Sequence, residues 1–90
     1  MLSGIERLIL LILKYSDGYL KSRIRLMKLV FLAIKECPIS VKRINAIVEF
    51  RPYLHGPFSR EVLDALDKLR DCGYIKVEKE VFDIMWHRYN

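Results

Sequence analysis

The chain has 90 residues, of which 52% are hydrophobic and 30% charged, so it can form one small domain around a single core. Its longest early apolar run, Leu8 to Leu13, is too short for a membrane span or for the core of a signal peptide. We therefore expect a single soluble, cytoplasmic domain over residues 1–90.

The positive charge belongs to the first half of the chain, although the formal net charge of the whole is +5. Residues 1–45 contain nine Lys/Arg and three Asp/Glu, which gives +6, whereas residues 46–90 contain seven and eight, which gives −1. The distribution of charge therefore makes the first half basic and leaves the second half close to neutral.

Cysteine and amide content say something about the cellular setting. Cys37 and Cys72 fit no metal-ligand spacing, so each is expected to be a small, buried or half-buried thiol. A disulfide between them would be expected only in a thermophile that keeps intracellular bridges. The sequence has no Gln, no Thr and only two Asn, and this low content of thermolabile amides hints at such a source.

Helical periodicity predicts a first helix over residues 4–16, with Ser3 as its N-cap and Asp17-Gly18 as its end. The helix carries an apolar stripe, which Leu11 and Leu13 widen. A helix of this kind is covered on more than one side, and a second subunit is one candidate for the cover.

A second helix is predicted over residues 22–36, again with a serine at its start. Ile24 is expected in its buried cluster, and apolar side chains cover most of the circumference. What remains is a narrow strip at steps of four and three residues, made of Lys21, Arg25, Lys28, Leu32 and Lys35. No acidic residue interrupts this basic strip. It is either a solvated face or a surface for an anion.

The rest of the chain predicts a helical turn from Ser40, a strand near 47–51, a third helix over 59–72 and a hairpin over 74–79 and 82–88. Pro52 and Pro57 keep the segment between them out of helix. Ser59 is placed to cap the third helix and Gly73 to end it. We therefore predict an α+β fold, a winged helix with three helices and a small three-stranded antiparallel sheet.

Two stretches of the sequence resemble a known family. They are Phe50-x-Pro-Tyr-x-x-Gly-Pro-Phe-Ser-x-Glu-Val, followed by Leu66-x-x-Leu69 and Gly73-Tyr-Ile, and, upstream, Arg25-Leu-Met-Lys-Leu-Val-Phe-Leu-Ala33. In this order they resemble the winged-helix-like family that includes the Panacea (SocA-like) antitoxin domain and small archaeal proteins. The resemblance covers about half of the chain. It implies a winged-helix fold and permits a role in protein binding.

Enzymatic chemistry finds no support in the residues. His55 and His87 have no Asp, Glu or Cys at ligand spacing, and no nucleophile–base pair or glycine-rich phosphate loop can be assembled. His55 and Gly56-Pro57 are interpreted as parts of a sharp corner that leads into the third helix. We expect a protein that is not an enzyme and that binds no cofactor or metal.

In a winged-helix DNA reader one helix enters the major groove and the wing contacts the backbone. The third helix carries four carboxylates that phosphates would repel, so the second helix is the better surface. The candidate contacts to double-stranded DNA are Lys21, Arg25, Lys28, Lys35, Lys42, Arg43, Arg60, Lys76 and Lys79.

Three hypotheses follow. The first is a DNA-binding winged helix that acts as a small transcription regulator, and it leads narrowly. The second is a protein-interaction module or antitoxin that does not bind DNA. The third is a structural domain whose basic strip only keeps it soluble. A homodimer is also expected, through the first helix or the segment around Trp86 and Tyr89.

Overall fold

The computed structural model describes residues 2–37, 42, 48–54, 56–78 and 81–84. Its helices and strands are, in chain order, α1 (Gly4–Tyr15), β1 (Tyr19–Lys21), α2 (Arg23–Glu36), β2 (Arg51–Tyr53), β3 (Gly56–Phe58), α3 (Arg60–Asp71), β4 (Ile75–Glu78) and β5 (Val81–Ile84). The predicted turn after Ser40 and the strand residues 85–88 lie outside the described residues.

The main sheet is antiparallel with the strand order β1-β5-β4. Phe82 in the central strand is 1% exposed and lies opposite Leu20 on one side and Val77 on the other. Side chains from all three helices join this sheet in one buried cluster. Across the described residues the fold is α+β, with three helices and a small antiparallel sheet, as the sequence predicts, and it is compatible with a winged-helix-like layout.

The third strand of that sheet is not the one predicted. Residues 19–21 provide it, whereas the strand expected at 47–51 begins at Arg51 and pairs with β3 in a separate two-stranded ribbon. The two prolines explain the separation. Pro52 and Pro57 lie opposite each other, and since proline has no N–H to donate, neither strand can add hydrogen bonds to a wider sheet there.

The ends of α1 and α3 form as their sequences predict. At the start of α1, Ser3 and Glu6 form a reciprocal capping box. At the end of α3, Gly73 has a φ of +80° and donates to Arg70 O, while the N–H of Tyr74 reaches Leu69 O at 2.9 Å. This is the paired arrangement of a Schellman motif, and it satisfies two carbonyls that would otherwise lack a donor.

The start of α2 is different. Ser22 occupies the N-cap position, but its side chain makes no capping hydrogen bond and its φ is +80°. A non-glycine residue at positive φ is strained. Ile24, predicted to be buried, is 43% exposed, because it lies in the first turn of the helix, beside the edge of the ribbon.

The expectation that both cysteines are buried or half-buried is wrong. Cys37 and Cys72 are both exposed, reduced thiols, because each is the C-cap residue of a helix and lies beyond the last turn that packs on the core. Within the described residues, no helix has the length and apolarity that crossing a membrane requires.

Candidate nucleic-acid interface

The solvent face of α2 carries most of the basic strip. Arg25, Lys28 and Lys35 are exposed, and Leu32 between them is 45% exposed. Leu26 and Val30, on the opposite side of the same helix, are completely buried. Burial therefore fixes the rotation of the helix about its axis and turns these three cations toward solvent.

Lys21 joins the strip by a different route. In the sequence, Lys21 lies four residues, or about one helical turn, before Arg25. In the structure, Lys21 is the last residue of β1, and Ser22 separates it from α2. Its side chain is exposed at the edge of the main sheet, since β1 has β5 as its only neighbour within the described sheet. The strand, rather than the helix, positions this cation.

The cations of the strip have no carboxylate partner among the described residues. The ammonium of Lys35 instead lies 5.7 Å from the centre of the Phe31 ring, within the range of a cation–π contact. Lys21, Arg25, Lys28 and Lys35 thus present positive charge that no described acidic side chain neutralises.

The β2–β3 ribbon packs along one flank of the strip. The rings of Phe31 and Phe50 meet edge to face, with centroids 5.2 Å apart. At the corner, a Cβ added to Gly56 would lie 3.4 Å from Cε of Lys28, so the corner contacts the stem of that lysine. Gly56 has a φ of +117°, as the corner interpretation requires.

On α3, by contrast, most of the charged side chains are paired within the protein. Arg60 Nε lies 3.5 Å from Asp64 Oδ1, and Arg70 reaches Asp67 at 3.6 Å and Asp71 at 3.3 Å. Glu61 accepts a hydrogen bond of 2.7 Å from the backbone N–H of Glu49. Both arginines and all four carboxylates of the helix therefore already have partners.

The remaining predicted contacts are scattered. Lys76 on β4 pairs with Glu78 at 3.6 Å. Lys42 is exposed on the segment after α2, and Arg43 and Lys79 lie outside the described residues. Arg60, in the first turn of α3, is paired as described above. The structure brings together the α2 members of the predicted set, with Lys21 just before them.

Sequence reasoning missed Arg51. It is exposed on β2 and lines a cleft of about 400 Å³ together with Phe31, Phe50 and Pro57. Its signal was available, because residues 50–58 contain one basic residue and no acidic one. The expectation that this segment completes the main sheet concealed it.

A second surface lies on the other flank of α2. A hollow of about 670 Å³ separates α2 from α1 and has a mainly apolar lining, Leu8, Leu11, Ile12, Leu29, Leu32 and Ala33. Tyr15 stands beside it and is 85% exposed. The basic strip therefore runs between the ribbon on one side and an apolar groove on the other.

Comparison with known proteins adds no further information, since no family profile, curated protein or solved structure matches the chain. Across the described residues, no three His, Cys, Asp or Glu side chains come together in a group that could hold a metal ion.

Proposed function

We propose that the protein is a winged-helix DNA-binding protein, a small transcription regulator that holds the phosphate backbone on the basic strip of α2. The observation that carries this proposal is the pairing difference between the helices. An exposed carboxylate beside a cation offsets its positive charge and so weakens its attraction for a phosphate, whereas the strip cations form no ion pair with a described carboxylate.

This arrangement makes α2 the main contact and sets α3 apart from the duplex. Phosphate contacts supply most of the affinity of nonspecific DNA binding, and they require a continuous positive surface. Residues 21–36 contain five basic residues and one acidic residue, whereas residues 60–71 contain three and four. Only the first of these surfaces attracts a polyanion.

The proposed state is a homodimer that forms over the groove between α1 and α2. A two-fold interface uses the same surface on both subunits, so that surface must contain both a protrusion and a hollow. Tyr15 supplies the protrusion and the adjacent groove the hollow. The strip lies beside this groove, so a dimer that forms over the groove carries the basic strips of both subunits.

Light scattering tests the assembly. The wild type should be dimeric at high micromolar concentration, and Tyr15→Ala should raise the dimer Kd by about tenfold or more, as truncation of an aromatic anchor does. Tyr19→Ala is the control, since Tyr19 lies on β1 and is 49% exposed. A wild type that is monomeric at this concentration would rule out the dimer.

Fluorescence anisotropy with a nonspecific duplex tests the function. Four phosphate contacts per subunit should give a plot of log K against log salt concentration with a slope of about −3.6 per bound subunit, at 0.9 per contact. A protein that binds no duplex even at low salt would favour the second candidate, an antitoxin-like protein-interaction module. The apolar groove, which could then receive a different protein, is the observation that supports that candidate.

A further inference from the structure

We infer that the β2–β3 ribbon, and not the β4–β5 hairpin, is the arm that contacts the DNA backbone beside α2, with Arg51 as its phosphate contact. This inference rests on the proposed function and adds to it an element that the winged-helix layout alone would not indicate. In such layouts the hairpin after the last helix is the expected wing.

The charge of the β4–β5 hairpin argues against its being the arm that contacts the DNA backbone. Residues 75–84 contain two lysines and three acidic residues. The lysine within the described residues, Lys76, lies 3.6 Å from Glu78, and both side chains are well exposed. An arm with an acidic excess and a paired cation would be repelled by the phosphates it has to approach.

Position argues for the ribbon. Its inner side is fixed to α2 by the Phe31–Phe50 contact and by the packing of Gly56 against Lys28. At its turn Leu54 is 87% exposed. The ribbon is thus held along α2 both before β2, through Phe50, and beside its turn, through Gly56, and it exposes Arg51 next to the strip.

Arg51 is the residue that gives the ribbon its charge. It is exposed and has no carboxylate partner among the described residues. It shares one cleft with Phe31, whose ring lies below the Lys35 ammonium, and another with Glu49 and Glu61, so it lies between the strip and the start of α3. Its guanidinium can hold a phosphate through two parallel hydrogen bonds, which a lysine cannot do.

The test compares two single variants that lose one positive charge each, Arg51→Ala on the ribbon and Lys76→Ala on the hairpin. Binding of a nonspecific duplex is measured by anisotropy across a range of salt concentrations. Arg51→Ala should flatten the slope by about 0.9 per subunit and weaken binding roughly eightfold per subunit at 0.1 M salt, which is the effect of one lost phosphate contact in each subunit. Lys76→Ala should keep the wild-type slope, and Arg51→Lys should restore most of it.

The outcomes separate the two proposals. If the wild type binds DNA through the strip but Arg51→Ala and Lys76→Ala behave alike, the ribbon is not the arm and the proposed function stands. If the wild type binds no duplex, both fail. Thermal melting of each variant checks that the fold is intact, which is expected because Arg51 and Lys76 are both exposed.

Discussion

Helices α2 and α3 have similar lengths, 14 and 12 residues, and pack on the same core, yet the arginines of α3 and the strip cations of α2 differ in their ion pairs. On α3 both arginines lie within 3.6 Å of an aspartate on the same helix. On α2 the exposed cations of the strip form no ion pair with a described carboxylate. Net charge alone does not locate a binding surface, because a paired cation and an unpaired one count equally in the sum.

The two helices also differ in how their ends are built. Ser59 caps α3 through a bond from Val62 N, and a Schellman motif closes it. The start of α2 has a serine at positive φ with no side-chain cap. Local interactions thus favour α3 as a stable support, while α2 depends on tertiary packing.

The largest expected effect is on stability and comes from a substitution in α3. Leu69→Ala on α3 should lower the free energy of unfolding by about 2–5 kcal/mol, because Leu69 is 1% exposed and its truncation leaves a cavity. The same substitution on α2, Leu32→Ala, should cost less than about 1 kcal/mol when it is measured below the dimer Kd, since Leu32 is 45% exposed in the single subunit. Urea denaturation of both variants measures the difference, and equal losses would show that the outer face of α2 is also part of the core.

The next effect concerns the corner that contacts the strip. Gly56→Val should destabilise the protein by about 1–3 kcal/mol, because a β-branched residue at a φ of +117° is strained. The added side chain would also displace the stem of Lys28. Gly4→Ala in the first turn of α1 is the control and should not destabilise. A thermal melt of Gly56→Val that overlays the wild type would contradict the corner geometry.

A smaller effect compares the two helix starts. Ser59→Ala should cost about 1 kcal/mol, the usual value for a lost N-cap. Ser22→Gly should have the opposite sign and stabilise by up to about 1 kcal/mol, because it relieves positive φ without removing a hydrogen bond. Thermal denaturation of both variants gives the two signs. A destabilised Ser22→Gly would mean that the hydroxyl of Ser22 has a role that the geometry does not reveal.

Local sequence signals predicted most of the fold. The three helices and the hairpin followed from periodicity, and the caps at Ser3, Ser59 and Gly73 followed from residue type and position. The sheet partner was not predictable in this way. A three-residue strand at 19–21 has almost no periodicity of its own, and long-range pairing with β5 alone makes it a strand.

The candidate site shows the same division between features that local sequence signals predict and features that depend on tertiary packing. Helical spacing predicted the α2 cations correctly as an exposed face, because rotation of a helix follows from its apolar stripe. The same spacing also places Asp64 four residues after Arg60, so that pair could have been predicted, whereas the pairing of Lys76 with Glu78 lies on a strand that helical spacing does not describe. Nor could it place Arg51 next to the strip, because tertiary packing of the ribbon on α2 creates that proximity.

The central claim is that unpaired cations bind the duplex and paired cations do not, and two double variants with equal charge loss test it. Arg25→Ala/Lys28→Ala removes two cations from the strip, and Arg60→Ala/Arg70→Ala removes two paired ones from α3. Since both lower the net charge by two, any general electrostatic effect is shared and only the position differs. The account predicts that the slope of log K against log salt concentration falls by about 1.8 per subunit for the strip variant and stays near the wild-type value for the α3 variant. Equal flattening in both, or flattening in the α3 variant alone, would contradict it.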